Sequence, residues 1–264
     1  MNWLHCCWGV GATGASLIMT SVFNIGLSLR AGYAAIAAIQ ASFTTLFFLA
    51  LKLWPANGQA HSQADKPARA KHDAQQKQGK PKNFLRNAVA GCVFYFLYTG
   101  VETSVGLWGA SLLIDVMNVP IKTAGLTISL FWGSLTAGRL ITGAFLHGFT
   151  DRAIIRGGLA TAGLGISMLI SAKSPSVATV AFALTGLGLA PLYPSMMHDT
   201  PRRVGGAFAE NIIGLQVGAA FAGISMLPAL IGYAAARLSL AVIAPVILCI
   251  VAAITIAHEI SAQI

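Results

Sequence analysis

Eight apolar stretches, two before and six after one charged hydrophilic segment, constrain this chain more than any other feature. A helix crossing the ~30 Å hydrocarbon core of a bilayer needs roughly 20 apolar residues. Runs of that kind fall at about 4–29, 33–54, 86–114, 122–147, 154–172, 177–197, 207–232 and 238–258. The chain is 56% hydrophobic and 9% charged over 264 residues, which leaves too little polar surface for a fold of this size in water. The expectation is an all-α membrane protein with eight transmembrane helices.

The segment from Pro55 to Asn83 contains no Val, Ile, Leu, Met, Phe, Trp, Tyr or Cys. Such a composition cannot bury enough apolar area to fold, so it reads as a tether with a reach on the order of 30 Å. The organisation expected is residues 1–54 with two helices, a flexible cytoplasmic linker over 55–84, and a six-helix repeat over 85–264. A constant offset lays the first span over the seventh, matching Asn2 to Asn211, Gly9 to Gly218, Gly14 to Gly223, Ser16 to Ser225 and Leu29 to Leu238. That pattern fits two parallel six-helix repeats, the first two spans being the last two helices of the first repeat. Four helices would then precede Met1.

Orientation follows from the basic residues. With the linker inside, Lys52, Arg86, Arg152, Arg156, Arg202, Arg203 and the six linker cations are cytoplasmic, and Arg30, Lys122, Lys173 and Arg237 are outside. Both termini are expected in the cytoplasm, with no cleaved signal peptide. The formal charge of +9 is thus a product of membrane topology. Nucleic-acid binding is not expected, since these charges lie in loops between spans without interleaved aromatics. Cys6, Cys7, Cys92 and Cys249 form no C-x-x-C pair and serve as small apolar residues. No two histidines have metal-site spacing, so neither a metal nor a cofactor is expected. Gly9-x-Gly11 lacks the strand and lysine of a nucleotide loop, and no Ser/His/Asp set has the context of a hydrolase. An enzyme is not expected.

Particular residues carry chemistry. Glu102 lies mid-span, where an ionised carboxylate costs a few kcal/mol unless it faces protein or water. Tyr95, Tyr98, Thr99, Gly106 and Gly109 share its helical face, which should line a cavity. An acid that is wetted from each side in turn can take and release a proton, making Glu102 the proton-coupling candidate. The bland alternative is a hydrogen bond to a neighbouring helix. Tyr98, Trp108, Trp132, Asn211 and Gln216 are candidates for the substrate cavity. The indoles offer flat apolar faces to a sugar ring or anchor the membrane interface, and the amides bind hydroxyls or join helices. Arg139, two turns from the cytoplasmic end of its helix, is long enough to snorkel inwards. With Asp151, Arg152 and Glu210 it forms a candidate cytoplasmic gate.

Several segments together resemble the major facilitator superfamily, and within it the fucose-permease-like transporters. Asn2-Trp3-Leu4-His5 with Gly9-x-Gly11-Ala12 resembles the family's fifth helix, although Ala15-Ser16 stands where a Gly-Pro pair is common. Gly100-Val101-Glu102 with Gly106-Leu107-Trp108 resembles the seventh. Phe131-Trp132-Gly133 through Gly138-Arg139-Leu140, leading to Asp151-Arg152, resembles the eighth. The tenth and eleventh are matched by Gly186-Leu187-Gly188-Leu189-Ala190-Pro191 to Pro194, Thr200-Pro201-Arg202-Arg203-Val204-Gly205 and Gly214-Leu215-Gln216-Val217. The resemblance implies a twelve-helix carrier, of which this chain holds helices five to twelve. It would move a small, sugar-like solute by alternating access with protons across a bacterial cell (inner) membrane. A transport-inactive remnant and a drug or metabolite exporter of the same superfamily are the alternatives.

Overall fold

In a computed structural model that describes residues 2–53, 81, 83–145 and 148–262, the chain is helical throughout, with no strand among the described residues. Among the described residues nine α-helices follow one another: α1 (Asn2–Asn24), α2 (Leu29–Ala50), α3 (Phe84–Ser111), α4 (Ile121–Phe145), α5 (Asp151–Ile170), α6 (Pro175–Leu189), α7 (Leu192–Val204), α8 (Gly206–Arg237) and α9 (Ile243–Ala262). The tether expected before Phe84 lies outside the described residues, apart from Pro81 and Asn83.

Local signals set the helix ends. The hydroxyls of Ser28, Thr150 and Ser174 accept from the backbone N–H three residues on, capping α2, α5 and α6. Pro175 opens α6 at a position where its missing N–H costs nothing. Pro191 has no N–H to continue α6 and parts it from α7, so the span expected over 177–197 is bent at that point. Gly205, at φ 85°, turns α7 back into α8, a backbone conformation that a side chain strains.

Among the described residues six segments are long and apolar enough to cross a membrane: Leu29–Leu53, Phe84–Val116, Asp151–Ile170, Pro175–Val204, Gly206–Arg237 and Leu240–Glu259. The chain is thus compatible with an integral, multi-pass helical membrane protein. α1 and α4, which coincide with the two other expected spans, are not among the six. In α4 the cause is visible: Lys122, Arg139 and a series of Thr and Ser dilute its apolar residues. α4 packs along α1, with Thr136 against Gly9, Thr13 against Gly133 and Thr20 against Gly125.

Small residues hold the bundle together. Helices in lipid gain little from burying apolar surface against each other, so close approach of backbones matters more. A side chain at Gly223 would collide with the Phe96 carbonyl, which locks α8 along α3. Gly158, Gly165 and Gly188 do the same between α5 and α6, and Gly186 between α6 and α4. α3 is the central helix, with Tyr95, Tyr98 and Val101 fully buried. α2 sits at the margin, with Gly32 as its buried residue, lying against Met19 of α1.

Candidate functional site

In the core of the bundle an acid and an arginine bridge two helices. Glu102 on α3 and Arg139 on α4 are both enclosed, their side chains 8% and 4% exposed. The Arg139 Nη2 donates to Glu102 Oε2 at 3.2 Å and to Oε1 at 3.4 Å. It also donates to the Tyr98 hydroxyl at 3.3 Å, and that hydroxyl in turn donates to Glu102 Oε2. Three polar side chains are therefore joined in a ring. Tyr98 and Glu102 are one turn apart on α3 and meet along its axis.

Aromatic residues wall off the ring. Tyr95 and Tyr98 pack on Tyr193 of α7, with ring centroids 4.8 and 6.3 Å apart. The Tyr95 hydroxyl donates to the Tyr193 carbonyl at 3.0 Å, at the irregular start of α7. Phe94 stacks on Tyr98 from the other side. Removing either charge would strand the other in a low-dielectric interior, a loss of about 3–5 kcal/mol, whereas well-packed apolar residues in place of both could be neutral or stabilising. The pair is thus a poor device for stability alone, which directs attention to function.

The remaining expected site residues have distinct placements. Trp108 is half-buried, seats its ring against Gly232, and donates from its indole N–H to the Pro228 carbonyl at 2.9 Å, tying α3 to α8. Trp132 is half-buried with its ring against Gly106, one turn above Glu102. Gln216 is buried against Gly91 and accepts from the Thr200 hydroxyl at 3.1 Å. Asn211 and Glu210 are exposed on the first turns of α8.

Asp151 and Arg152 lie at the end of the bundle where α5 begins and α7 and α9 finish. Asp151 pairs with His198 at 2.8 Å and with Arg202 at 3.6 Å. Glu259 accepts from Arg152 at 3.3 Å and from Arg156 Nε at 2.6 Å, and Asp199 pairs with Arg203 within α7. The helix directions put Arg86, Arg152, Arg156, Arg202 and Arg203 at this end, and Lys122, Lys173 and Arg237 at the other. Arg139 therefore joins Glu102, while Asp151 and Arg152 find partners elsewhere.

Two features have weaker signals in the sequence. His258, placed at a helix end by the span pattern, is 3% exposed, and neither ring nitrogen has a hydrogen-bond partner among the described residues. A cleft of ≈ 390 Å³ lies between α1, α3 and α4, lined by Ser16 and Thr20 of α1, Ala110 of α3, Ile114 in the turn that follows it, and Lys122 and Gly125 of α4. From the sequence Lys122 reads as a loop cation; its place beside a cleft needs three helices at once.

Comparison with family models, curated proteins and solved structures finds no match to this chain. Its class rests on the helices themselves.

Proposed function

We propose that this chain works as a secondary transporter of the major-facilitator type, carrying a small hydrophilic solute by alternating access with Glu102 as its proton-exchanging group. α3 to α9, with α6 and α7 as one bent crossing, make the six-span repeat of such a carrier, and α1 and α2 belong to the repeat before it. The Arg-rich end faces the cytoplasm of a bacterial inner membrane. The observation that carries the reading is the Glu102–Arg139 pair, enclosed between α3 and α4 and joined by Tyr98. A carboxylate held this way is stable as an anion only while its cation is aligned. A movement of α4 against α3 changes that alignment, so proton binding and helix movement share one equilibrium.

Trp132 on Gly106 lies directly above the pair and can sense its state. The cytoplasmic cluster of Asp151, Arg152, Arg202 and Glu259 joins α5, α7 and α9 and acts as the gate on that side. The test is uptake by proteoliposomes under an inward proton gradient, screened over sugars, sugar acids and other small metabolites. Uphill accumulation in wild type that is lost in Glu102→Gln, with downhill exchange retained, is expected. Equal accumulation by the variant, or none by wild type with any solute, counts against it.

A further inference from the structure

His258 is enclosed near the end of α9, and its ring lies against Phe94 of α3 with centroids 6.3 Å apart. Neither of its nitrogens has a hydrogen-bond partner among the described residues, and the Nε of Arg152 on α5 is likewise buried without one. The charged groups that face the imidazole are Arg152, Arg203 and Asp199 on α7, and Glu259 beside it on α9; α3 presents the Phe94 ring. Both carboxylates are already engaged, Asp199 by Arg203 and Glu259 by Arg152 and Arg156. A proton on the ring would add one more donor where these acceptors are taken.

A buried polar group without a partner is tolerable when neutral and costly when charged. In water an imidazole takes a proton at about pH 6.5, and on the last turns of a helix a cation is favoured by the carbonyl end. His258 stands one residue inside the end of the Leu240–Glu259 segment, so a small movement brings it to water. The seated, neutral ring is therefore favoured above about pH 6.5, and each pH unit below that favours an unseated, charged ring roughly ten-fold. Phe94 also stacks on Tyr98, whose hydroxyl joins the Glu102–Arg139 pair. The seat of His258 is thus one aromatic ring away from the core.

We propose that His258 is a proton-operated latch on the Arg-rich end of the bundle. As the neutral ring it holds the end of α9 on Phe94 of α3; as the imidazolium it leaves that seat for water, and the end of α9 comes off α3. The proton binds at a ring nitrogen, and no bond between heavy atoms changes. Acid on the Arg-rich side therefore loosens the junction of α3, α5, α7 and α9. The latch stands on its own geometry, and on the transporter reading it makes the cytoplasmic gate open more readily as that compartment acidifies.

The experiment is hydrogen–deuterium exchange of the whole chain in detergent micelles at about pH 8 and about pH 5.5, each rate divided by that of an unstructured peptide at the same pH. The amides of residues 254–258 on α9 are expected to exchange roughly ten-fold faster in wild type at the acid pH. His258→Phe, which keeps an uncharged ring in the seat, should show no such change, and His258→Arg should exchange fast at both pH values. His198→Asn, at the exposed histidine that pairs with Asp151, should respond as wild type does. Should His258→Arg fail to fold, His258→Phe and His198→Asn still decide the matter. A pH response that survives in His258→Phe, is lost in His198→Asn or is absent from wild type overturns the latch. Slow exchange at the alkaline pH in a folded His258→Arg does so as well. The measurement needs no solute, so transport without this response discards the latch alone, and this response without uptake of any solute discards the carrier alone.

Discussion

Two groups of ion pairs use the same residue types in opposite settings. At the Arg-rich end, Asp151, Asp199 and Glu259 meet His198, Arg202, Arg203, Arg152 and Arg156, with Arg202 70% and Arg156 51% exposed. In the core, Glu102 and Arg139 meet with almost no exposure and share one tyrosine hydroxyl. Water and salt reach the exposed cations of the first group, and Asp151 and Glu259 each have two of them to draw on. The second has protein on every side. The same contact is thus replaceable at one end and decisive in the middle, and a carrier can use the middle one as a switch because losing a partner there is expensive.

The largest expected effect follows from that contrast. Glu102→Ala should lower stability by about 3–5 kcal/mol by leaving a buried guanidinium without its carboxylate, read as denaturant unfolding in mixed micelles. The double variant Glu102→Met with Arg139→Leu should recover most of the loss, and the two single changes should be strongly non-additive. Simple additivity would break the claim that the pair acts as a unit. A smaller loss, about 1–3 kcal/mol, is expected for Gly223→Leu. Any side chain there meets the Phe96 carbonyl, so α8 must move off α3 and strain the Trp108 to Pro228 bond. Indole fluorescence during unfolding tests this, since an unchanged midpoint would mean that the two helices separate freely.

The helical architecture was legible because length and apolarity alone define a crossing segment: the observed helices overlap the expected runs, six segments among the described residues are long and apolar enough to cross, and the capping hydroxyls of Ser28, Thr150 and Ser174 stand shortly before runs begin. The break at Pro191 had its signal too, but apolar residues continue on both sides of it and conceal the bend. Glu102 was legible as an acid in an apolar run. Its partner was not, because distance along α4 suggested that Arg139 reaches for the nearer helix end, whereas the level at which α3 and α4 face each other is a property of their packing. Charge balance was the missed clue: Glu102 and Arg139 are the acid and the base set furthest from the ends of their apolar runs. The roles of Trp108 and Trp132 were ambiguous for a related reason, since each is seated on a glycine of another helix, Gly232 or Gly106, that periodicity along one helix does not reveal.

His258 sharpens the comparison from a third position, buried like the core pair yet next to the exposed cluster. It packs against Phe94 with ring centroids 6.3 Å apart, and its ring nitrogens bond nothing among the described residues. An unsatisfied buried polar group costs about 1–3 kcal/mol, so His258→Phe should be neutral or stabilising by about 1 kcal/mol, in contrast to any single change at Glu102. A clear loss in unfolding measurements would mean that the imidazole makes a bond through water.

The smallest effect belongs to the exposed cluster. Arg156→Ala removes one of two guanidinium groups that serve Glu259, and Arg152 remains to hold the carboxylate. The unfolding midpoint should move by no more than its experimental error, and any shift should vanish as salt is raised, because the groups are wet and screened. The Glu102→Ala deficit should persist at the same salt, since ions do not enter the enclosed ring. If both variants lost their deficits together in salt, the core pair would be accessible to solvent, and the distinction between a screened end and a switchable centre would fail.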